Sequence, residues 1–258
     1  MSREAVDATV LVSVFNMARI LWLQLESLCR QETTFSWELL VGEEPSDDYA
    51  GPGCLEPYRE RLWAAGCKST TYVAVPKWIP VSQKIHRLAN LSRGKYCLPH
   101  AADDYASPDR IQRACTVLQG GVDWYDVEQG LFLNLLDGST GTYVSAPDRT
   151  GLCLSTLISH LRNLSGPYPT LSVDLWLRSQ IKPEKICREL CALRGLQTDG
   201  VNIIGPARAD LYRGGEFRAL FSEPSQQVQD ILPEEVLLRL ASQFPGAKLG
   251  SPTDLIPQ

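Results

Sequence analysis

The chain has 258 residues, of which 44% are hydrophobic and 21% charged, with a formal net charge of −5. That balance excludes a disordered polymer and gives no electrostatic reason for tight binding to a polyanion, so nucleic acid is disfavoured as a partner. No apolar run reaches the ~18 residues of a membrane span, and the charged start MSREAVDA lacks the apolar core of a secretion signal. A cytoplasmic protein without a transmembrane segment is therefore expected.

In chain order, ATVLVSVF (8–15) is a β-branched run ending near Asn16 and reads as a buried strand. Apolar residues at 20, 21, 23, 25 and 28 predict a helix packed on a sheet. SWELLVGEE (36–44) is a second strand that stops at two carboxylates. A helix over 57–65, a strand over 69–75 and a helix over 81–92 follow, the last closed by Arg93-Gly94 with glycine in the C-terminal position. KYCLPHAADDYASPDR (95–110) opens as a fourth strand, ends abruptly at Asp103 and Asp104, and leads into a helix over 109–118. Strict alternation of strand and helix implies parallel strands joined by helical crossovers. In such sheets ligands bind beyond the carboxyl ends of the strands, where residues 43–44 and 103–104 both fall.

Beyond residue 120 the pattern changes. VDWYDVEQGLFLNLLDGSTGTYVSA (122–146) alternates aromatic, apolar and polar residues around glycine turns, which predicts antiparallel strands added to the sheet. LCLSTLISHL (152–161) reads as a strand entering a helix. VDLWLRSQI (173–181) is an amphipathic helix, and PEKICRELCALRG (183–195) predicts another, with proline in its first turn and glycine beyond its end. The stretch 205–230 reads as irregular and 234–244 as a short helix. Eight cysteines stand at 29, 54, 67, 97, 115, 153, 187 and 191 without a C-x-x-C pair. Buried free thiols fit better than a zinc site or disulfides, and Cys187 and Cys191 fall one helical turn apart.

Ordered blocks of this sequence resemble the family-2 glycosyltransferases of the GT-A fold. SVFN (13–16), LQLESLCRQ (23–31) and LLVGEEPSDD (39–48) stand where that family has a P-T-Y-N-like turn, an L-x-x-x-L-x-S-L-x-x-Q helix and a strand ending in Asp-Asp-Gly-Ser. LANLSRGKYCLPHAADDYASPDR is similar to its helix, strand, Asp-x-Asp-Asp and x-P-x-R block. VDWYDVEQGLF and GPYPTLSVDLWLRS resemble two later segments. The likeness covers roughly residues 8 to 180 and implies a Rossmann-like α/β/α sandwich with a mixed, mainly parallel sheet. It divides the chain into a GT-A domain over 1–204, with a nucleotide-binding half (1–118) and an acceptor-side half (119–204). Residues 205–258 form an extension expected to pack on or near the cleft. Three departures stand out: Ala101 replaces the first aspartate of the acid block, Glu43-Glu44 replace Asp-Asp, and Ser172 occupies the usual position of the catalytic aspartate.

The activity implied is transfer of a sugar from a nucleoside diphosphate, most simply a UDP-sugar, to an acceptor hydroxyl. The acceptor is a glycan, a lipid-linked saccharide, a protein or a modified nucleobase. Charge gathering on the departing diphosphate calls for a divalent cation, Mn²⁺ or Mg²⁺, which takes oxygen ligands and often only one or two carboxylates. By family position Asp103 binds this metal and the donor, with Asp104 in support; otherwise the pair is an acidic loop ahead of a helix. Glu43 and Glu44 are placed near the nucleoside, and Phe15 against its base, with ordinary core packing as its alternative. Lys84 and Arg87 on the preceding helix are cations for the diphosphate or members of a solvated face, and His100 either points inward to the site or is structural. Asp174 is the candidate general base, with direct displacement and inversion as the implied outcome, and helix capping as the alternative role. Two other functions compete. A degenerate sugar-nucleotide-binding module is favoured by Ala101 and Ser172, whereas a sugar nucleotidyltransferase is disfavoured because SVFNMARI holds no glycine for a phosphate loop.

Overall fold

The structure, a computed structural model, describes residues 5–77, 79, 81–127, 129–135, 140–144, 152–154, 182, 184, 186–189, 195–199, 217–221 and 231–247. Its first half holds β1 (Val6–Val14), α1 (Ala18–Leu28), β2 (Trp37–Glu43), a 3-10 segment (Pro52–Tyr58) running into α2 (Arg59–Ala64), and β3 (Cys67–Ala74). There follow α3 (Val81–Leu91), β4 (Gly94–Ala101), β5 (Asp104–Ala106) and α4 (Arg110–Gln119). The second half adds β6 (Trp124–Val127), β7 (Gln129–Asn134), β8 (Thr140–Val144), β9 (Leu152–Leu154), β10 (Ile186–Glu189), β11 (Gly195–Asp199) and β12 (Phe217–Phe221). It closes with a helix here named α5 (Glu234–Gln243).

A seven-stranded sheet runs β10-β6-β9-β4-β1-β2-β3. Its β3-β2-β1-β4 half is parallel throughout, as the strand–helix alternation predicts, while β9 is antiparallel to both β4 and β6. Strand alternation gives the half two buried faces, which is why β1 and β2 read as continuous apolar runs. Val10, Val12, Val14, Leu39, Val41, Tyr96 and Leu98 lie on one face, in the cluster that also holds Ile20, Leu23 and Leu28 of α1. The other face receives α3, where Leu88 packs so closely over Gly42 that a Cβ there would come within 2.9 Å of it.

Gly94 does a different job from the helix-terminating one expected of it. It is the first residue of β4, and a Cβ on it would meet the backbone of Ala8 and Thr9 at 2.4 Å. Its N–H donates to Thr9 Oγ1 at 2.9 Å, so the glycine lets β4 close against β1.

Other expectations need correcting. Within the segment 183–195 expected to be helical, Ile186–Glu189 is a strand, paired in parallel with β6 through Cys187↔Tyr125. Strand pairing at the sheet edge outweighs the helical spacing of this short segment, a tertiary override of a weak local preference. Cys187 is half-buried in that strand, and Cys191 lies outside the described residues. The strands of 122–146 do not all join the main sheet either. Whereas β6 does, β7 and β8 pair antiparallel in a second, five-stranded sheet ordered β12-β8-β7-β11-β5. Phe217–Phe221, within the stretch read as irregular, supplies its β12.

The C-terminal helix α5 buries Val236, Leu237 and Leu240 in the main core. Glu235 pairs with Arg30, just past the end of α1, and Gln243 Oε1 accepts from Trp22 Nε1 at 2.8 Å. The two helices therefore lie antiparallel, with the Arg239 guanidinium 3.8 Å from the Trp22 ring centroid. Among the described residues no helix is long and apolar enough to cross a membrane. Cys29, Cys54, Cys67, Cys97 and Cys115 are free thiols, and burial pushes the Cys67 and Cys115 thiols up to about 12.

Candidate functional site

The turn after β1 is held by Asn16, whose φ of 55° lies in the left-handed region that asparagine tolerates better than most residues. Its N–H donates to Ser46 Oγ (3.0 Å), and its Oδ1 accepts from Asp48 N–H (3.0 Å). Asp48 Oδ2 then accepts from Arg19 N–H at 3.1 Å, satisfying an otherwise orphaned donor in the first turn of α1. Thus the P-S-D-D segment after β2 stitches the β1–α1 turn, and its carboxylate at 48 serves the backbone.

Glu43 and Glu44, adjacent in sequence, point to opposite faces at the end of β2. Glu43 is fully buried on the α1 side, where its carboxylate accepts from Ala50 N–H and Gly51 N–H, each at 2.9 Å. The Tyr72 hydroxyl lies 2.8 Å from the same carboxylate and 2.6 Å from the hydroxyl of Tyr49. Burial and these two bonds push the Tyr72 phenol well above its ordinary value. Glu44, on the α3 side, is 2.8 Å from Lys84 Nζ, and Lys84 is 1% exposed. The same ammonium donates to Val14 O at 2.8 Å and stands 5.8 Å from the Phe15 ring centroid. Burial pulls the Lys84 ammonium below its ordinary value, while the bond to Glu44 works against that fall. Three candidates from separate elements, Phe15, Glu44 and Lys84, are thereby gathered at the carboxyl ends of β1 and β2. Arg87, on the same helix as Lys84, is exposed.

The acid corner lies at the end of β4, the neighbour of β1, with Ala101 in register with Ser13. Ala101 is exposed, Asp103 is buried and Asp104 is half-buried. Asp104 also begins β5 and pairs with Gln197 of β11, so the corner is a strand-to-strand step and not the plain acidic loop of the alternative reading. His100 sits just below it. Burial, and secondarily the Arg110 guanidinium, hold its imidazole well below the ordinary histidine value of 6.5, so it is neutral.

The fully buried side chain of Gln24 connects α1 to this corner. Its NH₂ donates to Ala101 O (3.2 Å) and Asp104 O (2.6 Å), and its oxygen accepts from His100 Nδ1 at 2.8 Å. Nothing in the sequence reading singled Gln24 out, although one signal was present: a polar residue inside the apolar stripe of α1, between Leu23 and Leu25. Further along, Gln31 Oε1 accepts from Ile111 N–H at 3.1 Å, and its NH₂ donates to Ser107 O at 2.8 Å. It secures the start of α4 below the corner.

Asp174 and Ser172 lie outside the described residues. Among the described residues no three His, Cys, Asp or Glu side chains gather into a group able to hold a metal ion. Asp103 and Asp104 nonetheless offer the oxygen-only chemistry that a hard divalent cation prefers, and such a cation commonly takes only one or two carboxylates from the protein.

No family model matches the chain. No curated protein matches it in sequence. Solved structures do match in fold. Staphylococcus aureus TarS 1–349 in complex with UDP-GlcNAc superimposes with a TM-score of 0.58 at 14% identity, over 92% of this chain and 66% of that one. The mannosyltransferase PcManGT from Pyrobaculum calidifontis, in complex with GDP-Man and Mn²⁺, gives 0.54 at 13% identity over 95% and 73%. Glucosyl-3-phosphoglycerate synthase from Mycobacterium tuberculosis, in complex with Mn²⁺, UDP and glucosyl-3-phosphoglycerate, gives 0.52 at 12% identity over 93% and 80%. The chain spans just under two thirds of the TarS fragment it matches. With the parallel order β3-β2-β1-β4 and helices on both sides, this architecture is the GT-A fold.

Proposed function

We propose that the chain is a glycosyltransferase of the hexosyltransferase type. It moves a sugar from a nucleoside-diphosphate donor, with UDP as the expected nucleotide, to an acceptor hydroxyl. One observation carries the reading. On a GT-A sheet, an adjacent carboxylate pair follows directly on β4, at the same strand ends where Phe15, Glu44 and Lys84 gather. Structures of this fold that bind UDP-GlcNAc, GDP-Man with Mn²⁺, or UDP with Mn²⁺ lend support.

In this reading Asp103, supported by Asp104, holds Mn²⁺ or Mg²⁺ beside the diphosphate. When bound, the cation offsets the negative charge that the leaving group acquires. Phe15 packs against the base of the nucleoside. Lys84, fixed between Glu44 and Val14 O, brings positive charge to the donor side without lateral freedom, and Arg87 supplies an outer cation. Glu43 shapes the site indirectly by pinning residues 50 and 51. Asp174, two residues beyond the usual position of the catalytic aspartate at Ser172, takes the proton of the attacking hydroxyl, and attack opposite the leaving diphosphate inverts the anomeric centre.

A thermal-shift series with UDP and GDP, each with and without Mn²⁺, tests the reading. Selective, metal-dependent stabilisation by one nucleotide is expected, and Asp103→Ala abolishes its metal-dependent part while the variant stays folded. The absence of any nucleotide effect would overturn the reading. The exposed Ala101, where an aspartate is usual, favours a second reading, a binder without turnover. Release of free nucleoside diphosphate from the donor sugar in the presence of acceptor separates the two, since a binder releases none.

A further inference from the structure

The middle of α1 poses a physical problem. Ile20, Leu21, Leu23, Leu25 and Leu28 are each at most 2% exposed, and Gln24 among them is 0% exposed. A buried primary amide is unfavourable in such surroundings unless each of its donors and its acceptor is matched. Here all three are matched by one short stretch of chain. The two donors reach Ala101 O and Asp104 O, the carbonyls on either side of residues 102 and 103, and the acceptor takes the proton of His100 Nδ1. Taken together, these bonds close a ring over the tetrapeptide that carries Asp103. They also set the histidine tautomer: with Nδ1 protonated, Nε2 is the bare nitrogen, and it has no hydrogen-bond partner among the described residues.

We infer that Gln24 is the positioning residue of the acid corner: its amide staples Ala101, Asp104 and His100 to α1 and so fixes the backbone from which the Asp103 and Asp104 carboxylates project. The inference rests on the donor-site reading for what those carboxylates bind. An outer group of this kind sets ligand orientation through the backbone, and loss of such groups commonly weakens metal binding about 10- to 100-fold. The position of α1 thereby becomes coupled to the metal corner, and α5, packed along α1, belongs to the same rigid unit.

The test compares Gln24→Met, which removes all three bonds at similar volume, with Leu25→Ala, which opens a cavity in the core beside α1 while leaving the three bonds in place. Amide hydrogen exchange over residues 101–106 and Mn²⁺ affinity in the presence of UDP are measured in both and in the parent chain. In Gln24→Met, exchange over 101–106 rises at least about tenfold and Mn²⁺ binds about 10- to 100-fold more weakly, with metal-free UDP affinity unchanged. Leu25→Ala moves neither. Equal effects of the two substitutions would overturn the inference, as would none in Gln24→Met. Nitrogen-15 spectra of the parent chain add a test that needs no variant to fold. They are expected to show His100 protonated at Nδ1, and protonation at Nε2 overturns the staple. If the parent chain binds neither UDP nor Mn²⁺, the donor-site reading falls by itself, and the exchange rates and tautomer still decide whether Gln24 holds the corner.

Discussion

Lys84 and Glu44 illustrate how a residue pair decides the cost of a substitution. Both are buried, and their charges lie 2.8 Å apart, so removing one strips the other, still desolvated, of this close counter-charge. Lys84→Met is expected to destabilise the chain by about 3–5 kcal/mol, and the double change Lys84→Met with Glu44→Gln to recover most of that loss. Urea denaturation of the three chains checks this; a double variant as weak as the single one would refute the pairing argument. His100 makes a pH prediction. Its imidazole is held neutral in the fold, well below 6.5, while in the unfolded chain it takes up a proton as pH falls through 6.5. Protons therefore favour the unfolded state. The contribution is fully present above 6.5 and is lost below it, at up to about 1.4 kcal/mol per pH unit. In His100→Gln the acid-side slope of stability is expected to flatten by one proton, as read from urea midpoints between pH 5 and 8. The neighbouring glutamates at 43 and 44 carry the residue-scale lesson. Their doublet at a strand end was legible, but strand alternation sends one to the backbone of the loop at 50–51 and the other to Lys84.

Among the elements, β1, β2, β3, β4 and helices α1, α3 and α4 follow the periodicity of their residues to within two or three positions at either end. Long, strongly patterned segments bury themselves against each other in the order in which they occur, so local pattern and tertiary demand agree. PEKICRELCALRG shows the opposite case. Its helical spacing is real, but Ile186–Glu189 completes the edge of a sheet, and the ladder with β6 decides. Gly94 was likewise visible as a breaker, while its purpose was not, because the approach of β1 to β4 spans 85 residues of sequence. With backbone atoms 2.4 Å from its would-be Cβ, Gly94→Ala must part the two central strands. A loss of about 3 kcal/mol or more in unfolding free energy is expected, at the upper end for overpacking. Thermal denaturation at the parental midpoint would contradict the close-approach account.

At the scale of the whole molecule, the C-terminal helix completes the core begun by the N-terminal one. Leu240 is fully buried in the cluster that contains Trp22 and Tyr58, and the Trp22–Gln243 hydrogen bond joins residues 221 positions apart. Leu240→Ala is expected to cost about 2–5 kcal/mol, as large-to-small changes do at sites that cannot collapse. The same substitution is expected to shift the fluorescence of Trp22, which lies directly beneath α5. A chain whose melting temperature and tryptophan emission both stay put would mean that α5 is not part of the cooperative unit.

By itself the sequence determined the parallel α/β half and the positions of its acidic strand ends. Alternation, chain length between strands and turn residues are local quantities, and they leave few topologies open. Only the tertiary structure decided which partner each carboxylate meets, which strands leave for a second sheet, and that an amide in α1 reaches the carbonyls around Asp103. Those outcomes depend on contacts between segments far apart in the chain, as between Tyr72 and Glu43 or between Gln24 and Asp104, and no periodicity within one segment encodes them.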